Sequence, residues 1–138
     1  MAKTVLRDCQ VIINGVNLSD HASSVEINFV KDEVETTNFS GQGRERIAGL
    51  KDDSFVVTFQ QDYASGEVDE TLFALYDGET EFTVEVRPTA AAASPTNPKF
   101  TGTCIVLEYQ PLAGSVGDLS ETEVTFPSQR TGITRATA

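Results

Sequence analysis

Few residues of this chain have side chains and spacing suited to catalysis. The sequence contains one histidine, His21, in a polar segment beside Asp20. Nucleophilic catalysis needs a nucleophile, a base and a group that orients the base, and the sequence has no G-x-S-x-G motif to supply the nucleophile. We therefore interpret His21 as a surface histidine, and the sequence favours a protein that is not an enzyme.

Pairs of acidic residues could perform glycosidase chemistry, but the pairs present here are not specific. Glu33 and Glu35 fit one face of a strand, whereas Glu67 and Glu70 fit one turn of a helix. Any acidic chain contains such pairs, and solvated faces explain both. The sequence also lacks a calcium-loop motif, and its G-x-G at Gly41–Gly43 lacks the third glycine of a phosphate-binding loop. We expect no cofactor and no metal.

The two cysteines, Cys9 and Cys104, lie within apolar strand patterns and do not form a CxxC pair. Free Cys is among the most buried residue types, so this placement favours buried free thiols over a disulfide. The sequence leaves open whether the two thiols are near each other.

Composition limits the possible partners. The chain has 138 residues, of which 21 are acidic and 10 basic, giving a net charge of −11. Such a length predicts a single domain over residues 1–138, and the negative charge disfavours tight binding of nucleic acid. The acidity either keeps the protein soluble or provides a surface past which DNA slides. The N-terminal residues lack the apolar core of a signal peptide and no segment could span a membrane, so we expect a cytoplasmic origin without a membrane partner.

Strict alternation of apolar and polar residues predicts several half-buried strands. The clearest are Val25–Phe29, Phe55–Gln60 and Phe82–Arg87. A shorter apolar run, Val11–Ile13, precedes Asn14-Gly15, which is the dipeptide preferred in a type I′ hairpin turn.

One segment, Ser65–Asp77, has the periodicity of an amphipathic helix. Ser65 is a candidate N-cap, and Gly78 could end the helix in the left-handed conformation. The predicted apolar stripe consists of Val68, Leu72, Leu75 and Tyr76.

The remaining segments combine further strands with irregular connections. Asn38–Asp52 has three glycines and only scattered apolar residues, which predicts a long loop that is either functional or ordered by a partner. In the last third, strands are predicted at Phe100–Tyr109 and Glu121–Phe126, joined by Gln110–Ser120, and a strand-like tail follows at Gly132–Thr137. Together the elements predict a mainly β fold of two packed antiparallel sheets, in a sandwich or barrel, with one flanking α-helix.

Several motifs, in this chain order and spacing, resemble the phage tail tube (major tail protein) family. They are G-R-E-R-I-A-G-L at Gly43–Leu50, the acidic helix Glu67–Gly78, N-P-K-F-T-G-T at Asn97–Thr103, the connection Pro111–Asp118, and G-I-T-R-A at Gly132–Ala136. Each motif is weak alone, and their order carries the resemblance.

The resemblance implies a structural virion protein that acts by assembly. Six subunits would close into a ring, and stacked rings would form a hollow tube that conducts DNA during ejection without binding it specifically. The other partners would be tail proteins such as the tape measure, the terminator and a sheath, and the protein would be made in the host cytoplasm and located in the virion tail. The contacts between subunits and rings are expected in the N-terminal segment, a loop at about 38–52, the connection Gln110–Ser120 and a C-terminal tail at about 128–138.

Two sets of candidate site residues follow. The polar faces of the strands could line the channel, with the sheet that faces it left open: Glu26, Asn28, Glu33, Glu35, Thr58, Gln60, Glu85 and Glu123. The candidate interface residues are Asn38, Phe39, Gln42, Arg44, Arg46, Ile47, Leu50, Lys51, Pro111, Leu112, Ile133 and Arg135. Within this second set, Arg44, Arg46 and Lys51 form a basic cluster that either solubilises the loop or contacts an acidic surface of a neighbouring subunit.

Two other classes of function compete with this interpretation. The first is another virion component, such as a tail-completion or head-decoration protein. The second is a soluble β-sandwich that binds a ligand, although the absence of tryptophan argues against a carbohydrate platform. The sequence leaves open the host, the contractility of the tail, and whether the particle is a phage or derived from one.

Overall fold

The structure is a computed structural model that describes residues 3–138, and β-strands make up most of its regular elements. In chain order, the elements are β1 Gln10–Ile13, β2 Val16–Asn17, β3 Ala22–Asn28, β4 Lys31–Glu35, β5 Arg46–Lys51, β6 Ser54–Gln60, α1 Val68–Gly78, β7 Phe82–Arg87, β8 Lys99–Cys104, β9 Glu121–Pro127 and β10 Thr134–Ala136.

The strands form three antiparallel sheets. The first has five strands in the order β10-β8-β7-β1-β2, the second has three in the order β3-β6-β9, and the third is the pair β4-β5. The predicted mainly β fold with antiparallel sheets and one helix is confirmed. In residues 3–138, no helix is long and apolar enough to cross a membrane.

The hydrophobic core lies between the five-stranded and three-stranded sheets. It takes Phe55, Val57 and Phe59 from the inner face of β6 and Val84 from β7, as the alternation predicted. Phe126 of β9 is fully buried among these residues. Burial of each large apolar side chain contributes about 1.5–3 kcal/mol to the free energy of unfolding. The packing of the two sheets against each other is therefore the main source of stability.

Helix α1 covers the core with Val68, Leu72 and Leu75, which are three of the four residues of the predicted stripe, whereas Tyr76 is 44% exposed. The predicted caps are wrong. Ser65 lies in the turn closed by Glu67 N–H donating to the Ala64 carbonyl, so it precedes the helix, and the N-cap is Glu67, which makes no side-chain cap hydrogen bond. Because the helix continues through Gly78, the left-handed residue is Glu79, with φ 52°.

The first hairpin has the turn that the sequence predicts. Asn14 and Gly15 have φ of 50° and 80°, and Ile13 pairs with Val16 across them. Positive φ at both central residues is what a type I′ turn requires.

β3 and β4 are consecutive parts of one long strand, and β5 and β6 are consecutive parts of its antiparallel partner. Residues 29–30 and 52–53 separate the parts, so the β4–β5 pair extends the β3–β6 hairpin beyond the sandwich. We call residues 31–51 the arm. The prediction of an irregular loop over Asn38–Asp52 is wrong for residues 46–51, because pairs such as Val34 with Ile47 form a two-stranded ladder that needs no core periodicity.

The C-terminal third departs from the prediction in one strand. The sequence predicted a strand through Tyr109, but β8 ends at Cys104. Beyond it, the chain makes one more hydrogen bond toward β9, from Ile105 N–H to the Pro127 carbonyl, and then departs from the sheet. The tail does form a short strand, β10, which pairs with β8 through Arg135 and Phe100. Both cysteines are free thiols, Cys104 buried and Cys9 half-buried.

Candidate assembly surfaces

The arm has no core of its own. Its paired residues Val34 and Ile47 are 44% and 57% exposed, and Leu50 and Phe39 are more exposed still. An isolated two-stranded hairpin is marginally stable in water, and exposed apolar side chains on such an element indicate a surface that a partner covers.

The base of the arm is fixed by one buried carboxylate, that of Asp53, which is 1% exposed. Oδ1 accepts a hydrogen bond from Val30 N–H at 2.9 Å, and Oδ2 accepts one from Ile133 N–H at 3.0 Å. The ammonium of Lys51 lies 3.2 Å from Oδ2. Burial raises the pKa of Asp53, but these N–H donors and the lysine outweigh it and hold the pKa below its ordinary value of 3.8. The charged carboxylate therefore joins the arm to the C-terminal segment.

This junction changes the interpretation of two predicted interface residues. Ile133 is 1% exposed and belongs to the hydrophobic core, so its predicted role at an interface is wrong. The Lys51 ammonium donates to the carbonyls of Thr131 and Ile133, each at 3.3 Å. Between these carbonyls, Gly132 adopts φ +71°, and an added Cβ would approach Asp53 Oδ2 to 2.6 Å, so only glycine fits.

The other predicted interface residues are exposed. Those on the arm are Asn38, Phe39, Gln42, Arg44, Arg46, Ile47 and Leu50, and those elsewhere are Pro111, Leu112 and Arg135. Within the predicted basic cluster, Arg46 pairs with Glu33 across the arm and Lys51 pairs with Asp53. Among residues 3–138, no carboxylate lies within ion-pair distance of Arg44, which leaves its charge for contacts outside the chain.

The eight candidate channel residues do not share one surface. Five lie on the outer face of the β3-β6-β9 sheet: Glu26, Asn28, Thr58, Gln60 and Glu123. Glu33 and Glu35 lie on the arm. Glu85 lies on the outer face of the other large sheet, with Arg87 at 3.6 Å and Lys99 at 3.8 Å, so it cannot line the same surface as the five.

The two outer faces differ in charge. On the β3-β6-β9 face, the residues that alternate with the core positions carry only carboxylates as charged groups, at Glu26, Glu121 and Glu123. On the five-stranded face, Glu85 is accompanied by Arg87 and Lys99. Only the first face is uniformly acidic, which favours it as a surface that repels phosphate.

A second exposed apolar surface lies on the connection between residues 110 and 120. Leu112 and Val116 are 80% and 105% exposed. The Pro111 carbonyl accepts hydrogen bonds from Tyr63 Oη at 2.7 Å and Gln61 Nε2 at 2.8 Å, which fix the start of the segment. Val116 was not named among the candidate interface residues, although the segment Gln110–Ser120 that contains it was expected to be an interface element.

His21 is more enclosed than the predicted surface histidine, with its side chain 17% exposed. Nδ1 lies 2.9 Å from Asp20 and 3.5 Å from Glu67, and Nε2 lies 2.9 Å from Asp62. Desolvation lowers the pKa of His21, but hydrogen bonds to Asp62 and Asp20 and the charge of Glu67 together raise it above 6.5. Sequence reasoning did not identify Asp62 and Glu67 as partners of His21, because the β3–β6 register brings Asp62 there and the turn before α1 brings Glu67.

Comparison with solved structures identifies the fold. A chain from the virion of a native gene transfer agent particle matches with a TM-score of 0.73, at 15% identity over 94% of this chain and 95% of that chain. A chain from the tail of the empty particle, solved by helical refinement with C6 symmetry, matches with a TM-score of 0.68, at 18% identity over 86% and 83%. The tail tube of SPP1 matches with a TM-score of 0.74, at 12% identity over 95% and 77%.

No protein-family model matches the sequence, and no curated protein matches it significantly. The structural likeness spans nearly the whole chain and shows that this protein has the fold found in tail tubes.

Proposed function

We propose that this protein is a tail tube subunit of a phage or phage-derived particle, a structural protein that acts by assembly without covalent chemistry. The observation that carries the proposal is the likeness to an SPP1 tail tube chain and a gene transfer agent virion chain over 95% and 94% of the sequence. The location implied is the tail of the virion. Further partners in this proposal are tail proteins such as the tape measure, the terminator and a sheath.

In this proposal, six copies form a ring and the rings stack. The C6 symmetry of the gene transfer agent tail supports the number six. The arm supports stacking, because its apolar residues Val34, Ile47 and Leu50 are exposed beyond the sandwich, where a neighbouring subunit could bury them. Closed assembly would also pair the free edge of β3, which otherwise presents unpaired backbone groups.

The channel in this proposal is lined by the outer face of β3-β6-β9. That face carries Glu26, Glu121 and Glu123 without a lysine or arginine at the alternating positions. Repeated around a ring, these carboxylates give a negative wall from which the DNA backbone is repelled, so that DNA passes without specific binding.

Electron microscopy of the purified protein tests the proposal. We expect stacked rings or tubes with an open channel and sixfold symmetry. A protein that stays monomeric at all concentrations, or forms only a decoration layer on heads in particle lysate, would contradict it.

The role of the arm is tested by the double variant V34S/I47S, which removes the apolar cross-strand pair. We expect folded subunits that no longer form tubes. The matched control is Phe73→Ser, an equally exposed apolar residue on α1. If Phe73→Ser blocks tube formation and V34S/I47S does not, the helix rather than the arm makes the assembly contact.

A further inference from the structure

We propose that His21, Asp62 and Glu67 form a binding site for a divalent transition-metal ion of the Zn²⁺ class. One ligand atom from each residue lies within 4.8 Å of the other two. An imidazole with two carboxylates suits Zn²⁺ and Co²⁺, and three protein ligands would leave one position of a tetrahedral ion for water.

The scaffold holds two of these side chains in place without the ion. Gln60 N–H donates to the His21 carbonyl at 2.6 Å, which fixes the start of β3 against the end of β6. Just beyond that bond, Asp62 Oδ1 accepts a hydrogen bond from Ala64 N–H at 2.9 Å, leaving Oδ2 directed at Nε2 of His21. His21 and Asp62 thus come from segments about forty residues apart, and the hydrogen bond from Gln60 N–H to the His21 carbonyl brings them face to face.

Glu67 contributes a carboxylate that is not engaged in capping. It occupies the N-cap position of α1 but makes no cap hydrogen bond, and its carboxylate, 3.5 Å from His21 Nδ1, has an oxygen within 4.8 Å of the ligand atoms of His21 and Asp62. Within residues 3–138, no lysine or arginine lies within 4.0 Å of Asp62 or Glu67. The carboxylates of Asp20, Asp62 and Glu67 therefore surround one imidazole. A divalent ion would neutralise their excess of negative charge.

Asp20 supplies the partner that a metal-bound histidine usually has. It lies 2.9 Å from Nδ1 of His21, while Nε2 faces Asp62. In metal sites, the ring nitrogen that does not bind metal typically donates to a carboxylate, which fixes the tautomer and the ring orientation. Asp20 is accordingly a positioning residue, and the ion would replace the proton that Nε2 and Asp62 share.

The test uses the full chain stripped of metal with a chelator. Titration with Co²⁺, followed by its visible absorption, should give one saturable site per chain, and Zn²⁺ should displace the Co²⁺ and raise the unfolding temperature. His21→Gln, Asp62→Asn and Glu67→Gln should each weaken binding by at least about tenfold, and Asp20→Asn should weaken it by about tenfold with the absorption spectrum retained.

The matched control is Glu70→Gln, an exposed acid one turn along α1 that should leave binding unchanged. The absence of a saturable spectrum in the wild type, or equal binding by the Glu67→Gln and wild-type proteins, would overturn the proposal. If His21→Gln does not fold, Glu67→Gln still decides the question, because its side chain makes no hydrogen bond that supports the fold.

Discussion

Two long strands, β3 with β4 and β5 with β6, run through both the sandwich and the arm, yet the two regions differ in how their side chains are covered. Within β6, Phe55, Val57 and Phe59 are buried in the core, whereas on β5 only Gly49 is even partly covered. The ladder of backbone hydrogen bonds continues through both parts, so backbone pairing alone does not distinguish them. The sandwich folds by burying its own apolar surface, whereas the arm displays apolar surface for another molecule.

The largest difference should appear between Phe126→Ala and Phe39→Ala. Phe126 packs edge-to-face against Phe82 and Phe59, with ring centroids 5.7 and 6.4 Å away, and is fully buried. Its truncation should cost about 3–5 kcal/mol of unfolding free energy, measured by chemical denaturation of the monomer. Phe39, on the tip of the arm, should change stability by less than about 0.5 kcal/mol. Equal losses would show that the arm tip packs on the sandwich.

Asp53→Asn tests the junction between the two regions. The amide cannot accept from both backbone N–H groups and also pair with Lys51, so we expect a loss of about 1–3 kcal/mol. Because the folded-state pKa of Asp53 lies below its ordinary value of 3.8, its contribution is complete above that pH and disappears as pH falls through the folded pKa.

The wild-type and Asp53→Asn proteins should therefore differ most near neutral pH and converge in acid. Denaturation curves between pH 2 and pH 7 measure this. A difference that stays constant down to pH 2 would mean that the carboxylate charge contributes nothing.

Gly132→Ala should have a smaller effect, localised to the C-terminal segment. The left-handed φ of +71° and the approach to Asp53 Oδ2 oppose a side chain, and we expect a cost of about 1 kcal/mol or more. Amide hydrogen exchange should show faster opening of residues 134–136 than in the wild type. Gly114→Ala is the control, since a Cβ there meets no atom within 4 Å.

V34S/I47S, like Phe39→Ala, should have only a small effect on the stability of the monomer. Both side chains are largely exposed in the single chain, so the monomer should keep its unfolding free energy within about 0.5 kcal/mol for each site. Thermal denaturation of the dilute protein gives this value. A loss of several kcal/mol would mean that the arm belongs to the folding core, and the contrast between the two regions would fail.

The sequence predicted the sandwich well, because alternation records which face of a strand is buried. Val57 and Val84 were placed correctly by this rule, and the Asn14-Gly15 turn by its backbone preference. In the arm, Glu33 and Glu35 of β4 were placed on a strand face, but β5 was missed, because its residues are exposed on both faces and do not alternate. β5 therefore resembled a loop.

The candidate sites were less predictable, because they depend on contacts between distant segments. Ile133 was expected at an interface and is buried, since nothing local to G-I-T-R-A indicates that the chain turns inward at Gly132. Glu85 has the same polar-face pattern as Glu26, and only the sheet order separates them onto opposite faces. The channel and interface roles of the remaining residues stay predictions.

The continuity of the arm with β6 has a mechanical consequence. A pull on the tip of the arm would act along β6, the central strand of its sheet, and would shear it against β9. The two strands are paired without interruption, from Ser54 opposite Pro127 to Gln60 opposite Glu121. Hydrogen bonds perpendicular to the strands share such a shearing force and must break together. At the same point, Asp53 passes part of the tension to the C-terminal segment through Ile133. Stretching along the arm would therefore be opposed by these bonds acting together.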